Sequence, residues 1–344
     1  MNPQNDKKSE QNISFGERKR RYLFDLFSRN LDLTKKSLIN KVPGLRFEPE
    51  IDNGYVCPLC FRLFPVDAIS DSYDNPLTLE HVPPGILRGE ERLLTCRQCN
   101  NTSGSKLESQ LKQKLHDQEF VDGIPNSGID VRFRIDNKIN LAATLYHSGQ
   151  NTFKIIYDPS PKRSHPEHVE SWREVRAKVK ATGKMPGFTL EVWDRYQPRR
   201  SEIAWLRIAY LLAFCKFGYQ FLFLPNLGRI RHQIMEPTEQ VLPALGASSK
   251  TVFPDEALGI NVICEPEELQ SLLVVFDVTT QNRTTRHGVI LPGPTQPGLD
   301  VYTWLAKNKA LPTNIKFRPV PENNYLECLD DFDYLKLWKE LKSP

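Results

Sequence analysis

The stretch "LTLEHVPPGILRGEERLLTCRQCNNTSGSKLESQL", residues 77–111, carries three kinds of signal in close succession. Leu77-Thr78-Leu79-Glu80-His81 alternates apolar and polar residues, as a half-buried strand does, and Pro83-Pro84-Gly85 then breaks it. Arg92-Leu93-Leu94-Thr95 resumes an extended pattern and runs into the Cys96-x-x-Cys99 knuckle. From about Asn100 to His116, Leu107, Leu111 and Leu115 recur every four residues, the spacing of one helical face. The order predicted is hairpin, knuckle, helix.

A second knuckle lies upstream, Cys57-Pro58-Leu59-Cys60, with 35 residues between Cys60 and Cys96. Each pair bends a turn so that both thiolates face one ion, and two such pairs predict a tetrahedral Zn2+ site with four thiolate ligands. The spacing exceeds that of a simple ribbon, so the hairpin reads as an insert between the knuckles. Zinc would take the place of an apolar core too small for this unit to build.

Composition narrows the classes. The chain has 344 residues, 39% hydrophobic and 26% charged, which suits a globular protein with room for two or three domains. Its most apolar window, beginning at Ile203, contains Arg207, Lys216 and Gly218, which predicts a buried helix and not a membrane span. The first twenty residues lack the apolar core of an export signal, so a cytoplasmic location is expected. The net charge of +4 does not by itself indicate a polyanion partner. Basic clusters do occur at 16–21 ("GERKRR"), 198–200 ("PRR") and 228–232 ("GRIRH"), each readable as a solvated face.

The expected class is α+β, in four parts. Residues 1–15 read as a disordered tail and 16–52 as a helical segment. Residues 53–122 form the cysteine-stapled module, and 128–344 a larger mixed α+β domain. Within the last, 130–158 predicts a three-stranded meander, Pro166 to Gly183 a helix, and Ser201 the N-cap of a buried helix through Phe217. Strands are expected at "LLVVFDVTT", "HGVILPG" and "IKFRPV", and helices at "DVYTWLAKNK" and "DDFDYLKLWKELK". No nucleophile constellation or phosphate-binding glycine loop appears beyond Gly128, so this domain is expected to bind a target, a partner protein or another copy of the chain.

Cys57-x-x-Cys60, Glu80-His81-Val82-Pro83-Pro84 and Leu94-Thr95-Cys96-x-x-Cys99-Asn100, followed by Gly104 and Lys106, together resemble the HNH endonucleases of the ββα-metal fold in their zinc-ribbon form. The resemblance covers roughly 53–119. It implies hydrolysis of nucleic-acid phosphodiesters with one divalent cation, Mg2+ or Mn2+. His81 resembles the general base, Glu80 a cation ligand where the family more often has Asp, and Asn100 the second ligand, with Asn101 as the alternative one position on. Lys106 and Arg97 are the expected nucleic-acid contacts. Many members also carry an Asn in the hairpin loop, and none occurs between His81 and Cys99.

The residue types suit the chemistry. A neutral imidazole can deprotonate the attacking water near neutral pH, and a hard cation stabilises the leaving oxygen. Adjacent Glu80 and His81 point to opposite faces of a regular strand, so their convergence requires a local bend. The leading expectation is an endonuclease acting on DNA, of a kind resembling bacterial restriction or anti-phage effectors. The rivals are a non-catalytic nucleic-acid-binding zinc module and an RNA-directed nuclease. Elsewhere, His165 and His168 read as solvated, Cys215, Cys264 and Cys328 as small buried hydrophobes, and Trp205 and Tyr210 as core residues or the lining of a groove.

Overall fold

The computed structural model describes residues 14–41, 52–136, 138–149, 152–192, 196–224, 226–245, 247–248, 253–293, 301–308 and 315–328. Residues 1–13 of the tail expected to be disordered at 1–15, and the helix at "DDFDYLKLWKELK", lie outside them, while Phe15 already begins a helix. The described residues open with helix α1 (Phe15–Lys41), which buries Leu23, Phe24, Phe27 and Leu31 along a single stripe. Short strands β1 (Tyr55–Val56) and β2 (Leu63–Phe64) frame the first knuckle. The hairpin follows as β3 (Leu77–Val82) and β4 (Glu90–Cys96), leading into α2 (Arg97–Ser103). The predicted helix then passes through a π-helical turn, Gly104–Glu108, before α3 (Ser109–Val121).

Next come β5 (Gly128–Ile135), β6 (Ile139–Gly149), β7 (Thr152–Tyr157), α4 (Pro166–Thr182) and β8 (Phe188–Val192). The meander is as expected and gains β8, giving the order β7-β6-β5-β8. One face of this sheet packs Val131, Phe133, Leu141 and Ala143 against Val169 and Trp172 of α4.

The rest comprises α5 (Pro198–Phe217), a single helical turn at Tyr219–Leu222, α6 (Leu227–Met235), β9 (Ala247–Ser248), β10 (Gly259–Glu265), β11 (Ser271–Thr279), β12 (Thr284–Pro292), α7 (Val301–Asn308) and β13 (Lys316–Pro319). Helix α5 starts three residues before the predicted Ser201 cap, at a proline, which suits a first turn whose N–H groups have no intrahelical acceptor. The late strands form a sheet of order β13-β10-β11-β12-β9. Among the described residues, no helix is long and apolar enough to cross a membrane.

The division into units differs from the expectation. One compact unit unites residues up to Ser109 with Arg199–Val278 and Thr284 onward, and the second holds Gln110–Pro198 with Thr279–Arg283. The expected separate domain at 128–344 is therefore split between the two. The reason is chemical: the first knuckle draws its core from distant sequence. The Tyr219 hydroxyl accepts from Val56 N and donates to Val56 O, and the Tyr210 hydroxyl donates to Pro58 O at 2.8 Å. Tyr55, fully buried, donates to Leu94 O at 2.7 Å and stacks with Phe24. Trp205 and Tyr210 are 2% and 0% exposed and so belong to the core.

Candidate functional site

Metal-ligating side chains converge at the two knuckles. The four Sγ atoms of Cys57, Cys60, Cys96 and Cys99 lie within 4.8 Å of one another, and Cys60 and Cys96 are 3.8 Å apart. A tetrahedron of sulfurs about 2.3 Å from zinc has edges of about 3.8 Å, so the donor set fits such an ion. Hydrogen bonding with Cys57 brings the Cys60 thiol down to about 7, whereas burial pushes the Cys57 thiol well up. Four sulfurs at this spacing could hold a metal ion between them. Among the described residues no other group of three or more His, Cys, Asp or Glu side chains is close enough to hold one.

The hairpin that separates the knuckles is antiparallel, with Leu77 opposite Cys96 and Glu80 opposite Leu93. Its register then shifts, so that His81 faces Glu91 and Arg92 is left as the extra residue on β4. This irregularity sits beside the expected catalytic pair, in the partner strand; along β3 Glu80 and Val82 are buried while Leu79 and His81 are half-buried, so the face expected to be polar holds the buried glutamate. Glu80 and His81 consequently acquire separate partners.

His81 is half-exposed, with Nε2 3.7 Å from Glu91 Oε1, and Glu91 in turn pairs with Lys19 of α1 at 2.9 Å. Its ring packs over Gly85, where an added Cβ would lie 3.3 Å from the imidazole carbons. Gly89 closes the same loop so tightly that a Cβ there would overlap the Pro83 carbonyl. The Pro-Pro-Gly segment thus serves as a floor beneath the histidine.

Glu80 corrects the sequence-based expectation. Its side chain is only 2% exposed, its Oε2 accepts from Thr95 Oγ1 at 2.8 Å, and Arg207 Nη2 lies 2.9 Å from the same oxygen. Arg207, itself 1% exposed, also donates to Glu108 Oε1 at 3.0 Å. Burial acts against the guanidinium charge, but Glu80 and Glu108 outweigh it and hold its pKa above the ordinary arginine value. A carboxylate already neutralised by a buried guanidinium does not suit a dication, so the expected Mg2+ or Mn2+ ligand role of Glu80 does not fit this arrangement. Arg207 stands far downstream in an apolar helix, and a charged residue inside such a run is its only signal in the sequence.

Asn100 braces the hairpin. Its Nδ2 donates to Thr78 Oγ1 at 3.0 Å and to Leu79 O at 3.3 Å, tying α2 to β3, whereas Asn101 is exposed. Of the expected nucleic-acid contacts, Lys106 is exposed, and half-buried Arg97 lies 3.5 Å from Asp71. His165 is exposed, its ring 5.8 Å from that of His168. Cys328 is exposed, and Cys215 and Cys264 are intermediate, so none of the three is the fully buried hydrophobe expected.

Comparison with family models, with curated proteins and with solved structures finds no match for this chain.

Proposed function

We propose that the chain is an endonuclease of the HNH type that hydrolyses phosphodiester bonds in DNA, with His81 as the general base. The observation that carries this reading is His81 itself. It is a half-exposed imidazole at the end of a hairpin strand, backed by Glu91 at 3.7 Å and floored by Gly85, on a hairpin and helix stapled by four cysteines. Glu91 would attract the imidazolium that forms once His81 takes a proton from water. Zn2+ is the ion proposed at Cys57, Cys60, Cys96 and Cys99, in a structural role. Mg2+ or Mn2+ enters the proposal as a requirement of the reaction, with no ligand role for Glu80.

Asn100 acts here through position: its amide holds α2 on β3, the strand that carries His81. A non-catalytic nucleic-acid-binding zinc module is the second reading, favoured by the Glu80–Arg207 pair, which gives the glutamate a purely structural occupation. Cleavage of plasmid DNA and of single-stranded RNA by purified protein, with Mg2+ and with Mn2+, separates the readings. Metal-dependent cutting of plasmid is expected. Cutting of RNA alone would transfer the proposal to the RNA-directed nuclease, and binding without cutting would favour the module.

A further inference from the structure

Cations gather around the cysteine cluster from three separate stretches of sequence. Arg62 follows the first knuckle directly and is exposed; its Nη1 donates to Gln98 Oε1 at 3.2 Å, which brings it to the first turn of α2 beside Arg97. Arg231, on α6, lays its guanidinium 3.5 Å from the centroid of the Phe61 ring, one residue before Arg62. Lys106 is exposed on the π-helical turn and lines a narrow crevice with Cys99, Thr102, Ile234 and Met235, the last two lying one turn beyond Arg231 on the same helix. Among the described residues, Arg62, Lys106 and Arg231 have no carboxylate partner.

One structural account is charge compensation. Zinc with four thiolates carries two negative charges, and nearby cations lower the cost of holding them. Arg97 already faces Asp71; the three cations without a carboxylate still exceed that need, and two of them, Arg62 and Lys106, are exposed, where water screens whatever they contribute to the cluster. Arg231 lies over the Phe61 ring and also hydrogen-bonds the Tyr210 side chain, and the remaining N–H donors of its guanidinium are of the kind that bind phosphate oxygens.

We propose that Arg62, Arg97, Lys106 and Arg231 form a track for the phosphate backbone of a nucleic acid, running over the cysteine-cluster end of the first unit. It takes in Arg231 of the basic cluster "GRIRH" at 228–232, the residue of that cluster that packs beside the first knuckle. The track deepens the nucleic-acid reading above and rests on it, but it serves a cutting enzyme and a binding module equally.

The test is equilibrium binding of the full chain to duplex DNA, and in a parallel arm to single-stranded RNA, across a salt series without added divalent cation. Arg62→Gln with Lys106→Gln should weaken binding. It should also lower the slope of log affinity against log salt by about 0.9 for each duplex phosphate no longer neutralised, or about 0.7 on a single strand, with zinc content unchanged. Arg231→Gln should lower the slope by one such step, and because its ring contact can affect folding, the exposed pair decides the test. An unchanged slope in both arms overturns the track. Loss of zinc with an unchanged slope overturns it too, and assigns these residues to charge compensation. Failure of the nuclease reading would appear elsewhere, as wild-type protein that binds with a steep slope and never cuts.

Discussion

Arg207 Nη2 lies 2.9 Å from Glu80 Oε2, with the two side chains 1% and 2% exposed. The pair joins α5 to β3 across more than a hundred residues of sequence and takes the glutamate of the Glu-His dipeptide out of solvent. Removing one partner leaves the other charge buried and uncompensated. Arg207→Met should therefore destabilise the protein by about 3–5 kcal/mol, measured by urea unfolding. The double substitution Glu80→Leu with Arg207→Met should recover most of that loss. Equal or additive destabilisation in the double variant would mean that the pair is not coupled as described.

The same pair predicts how cleavage depends on metal. Glu80→Gln should leave the Mg2+ concentration for half-maximal cutting within about threefold of wild type, because Glu80 is engaged with Arg207 and Thr95. A large rise in the Mg2+ requirement, with partial rescue by more metal, would restore Glu80 as a cation ligand.

Glu108, the second carboxylate on Arg207, is held above the ordinary glutamate range by burial, with Arg207 pulling the other way. A raised carboxyl contributes stability that is fully present below its ordinary value and is lost as pH rises through the raised one. Glu108→Gln removes that dependence, so the variant should gain stability relative to wild type as pH climbs from about 4.3. Urea midpoints at several pH values measure this, and a relative loss over the same interval would contradict it.

The cysteine cluster makes the module dependent on its ion. Cys96→Ser should lower zinc content below one equivalent and destabilise the hairpin, since metal-binding energy is also folding energy in so small a unit. Elemental analysis and thermal unfolding measure both, and a metal-free variant of unchanged stability would remove the basis for the staple.

Local features were legible in the sequence, and long-range ones were not. The alternation of Leu77 to His81, the knuckle spacing and the leucines at 107, 111 and 115 declare hairpin, clamp and helix, because each is written in a period shorter than the element. The partners of the site residues carry no such period. Tyr210, Tyr219 and Arg207 look like parts of an ordinary buried helix and its sequel, and only tertiary packing shows that two of them complete the first knuckle while the third occupies Glu80. Hence the domain boundary drawn at 128 and the ligand role given to Glu80 both needed correction. The cause is the same in each case: an interaction between residues more than a hundred positions apart.

Gly89→Ala tests the floor beneath the histidine. The added methyl would meet the Pro83 carbonyl and force the loop off Gly85 and the His81 ring. Cleavage should fall at least tenfold, in line with the effect of misplacing a catalytic group, while zinc content stays at one equivalent. Full activity in this variant would show that the loop does not position His81.

The most direct measurement is the cleavage rate of His81→Ala on plasmid DNA with Mg2+, read alongside its DNA affinity and zinc content. The account predicts a loss on the order of a hundred-fold or more, as for a positioned general base, with affinity and zinc unchanged, since the cysteines and the basic track are untouched. Wild-type cleavage by His81→Ala would contradict it.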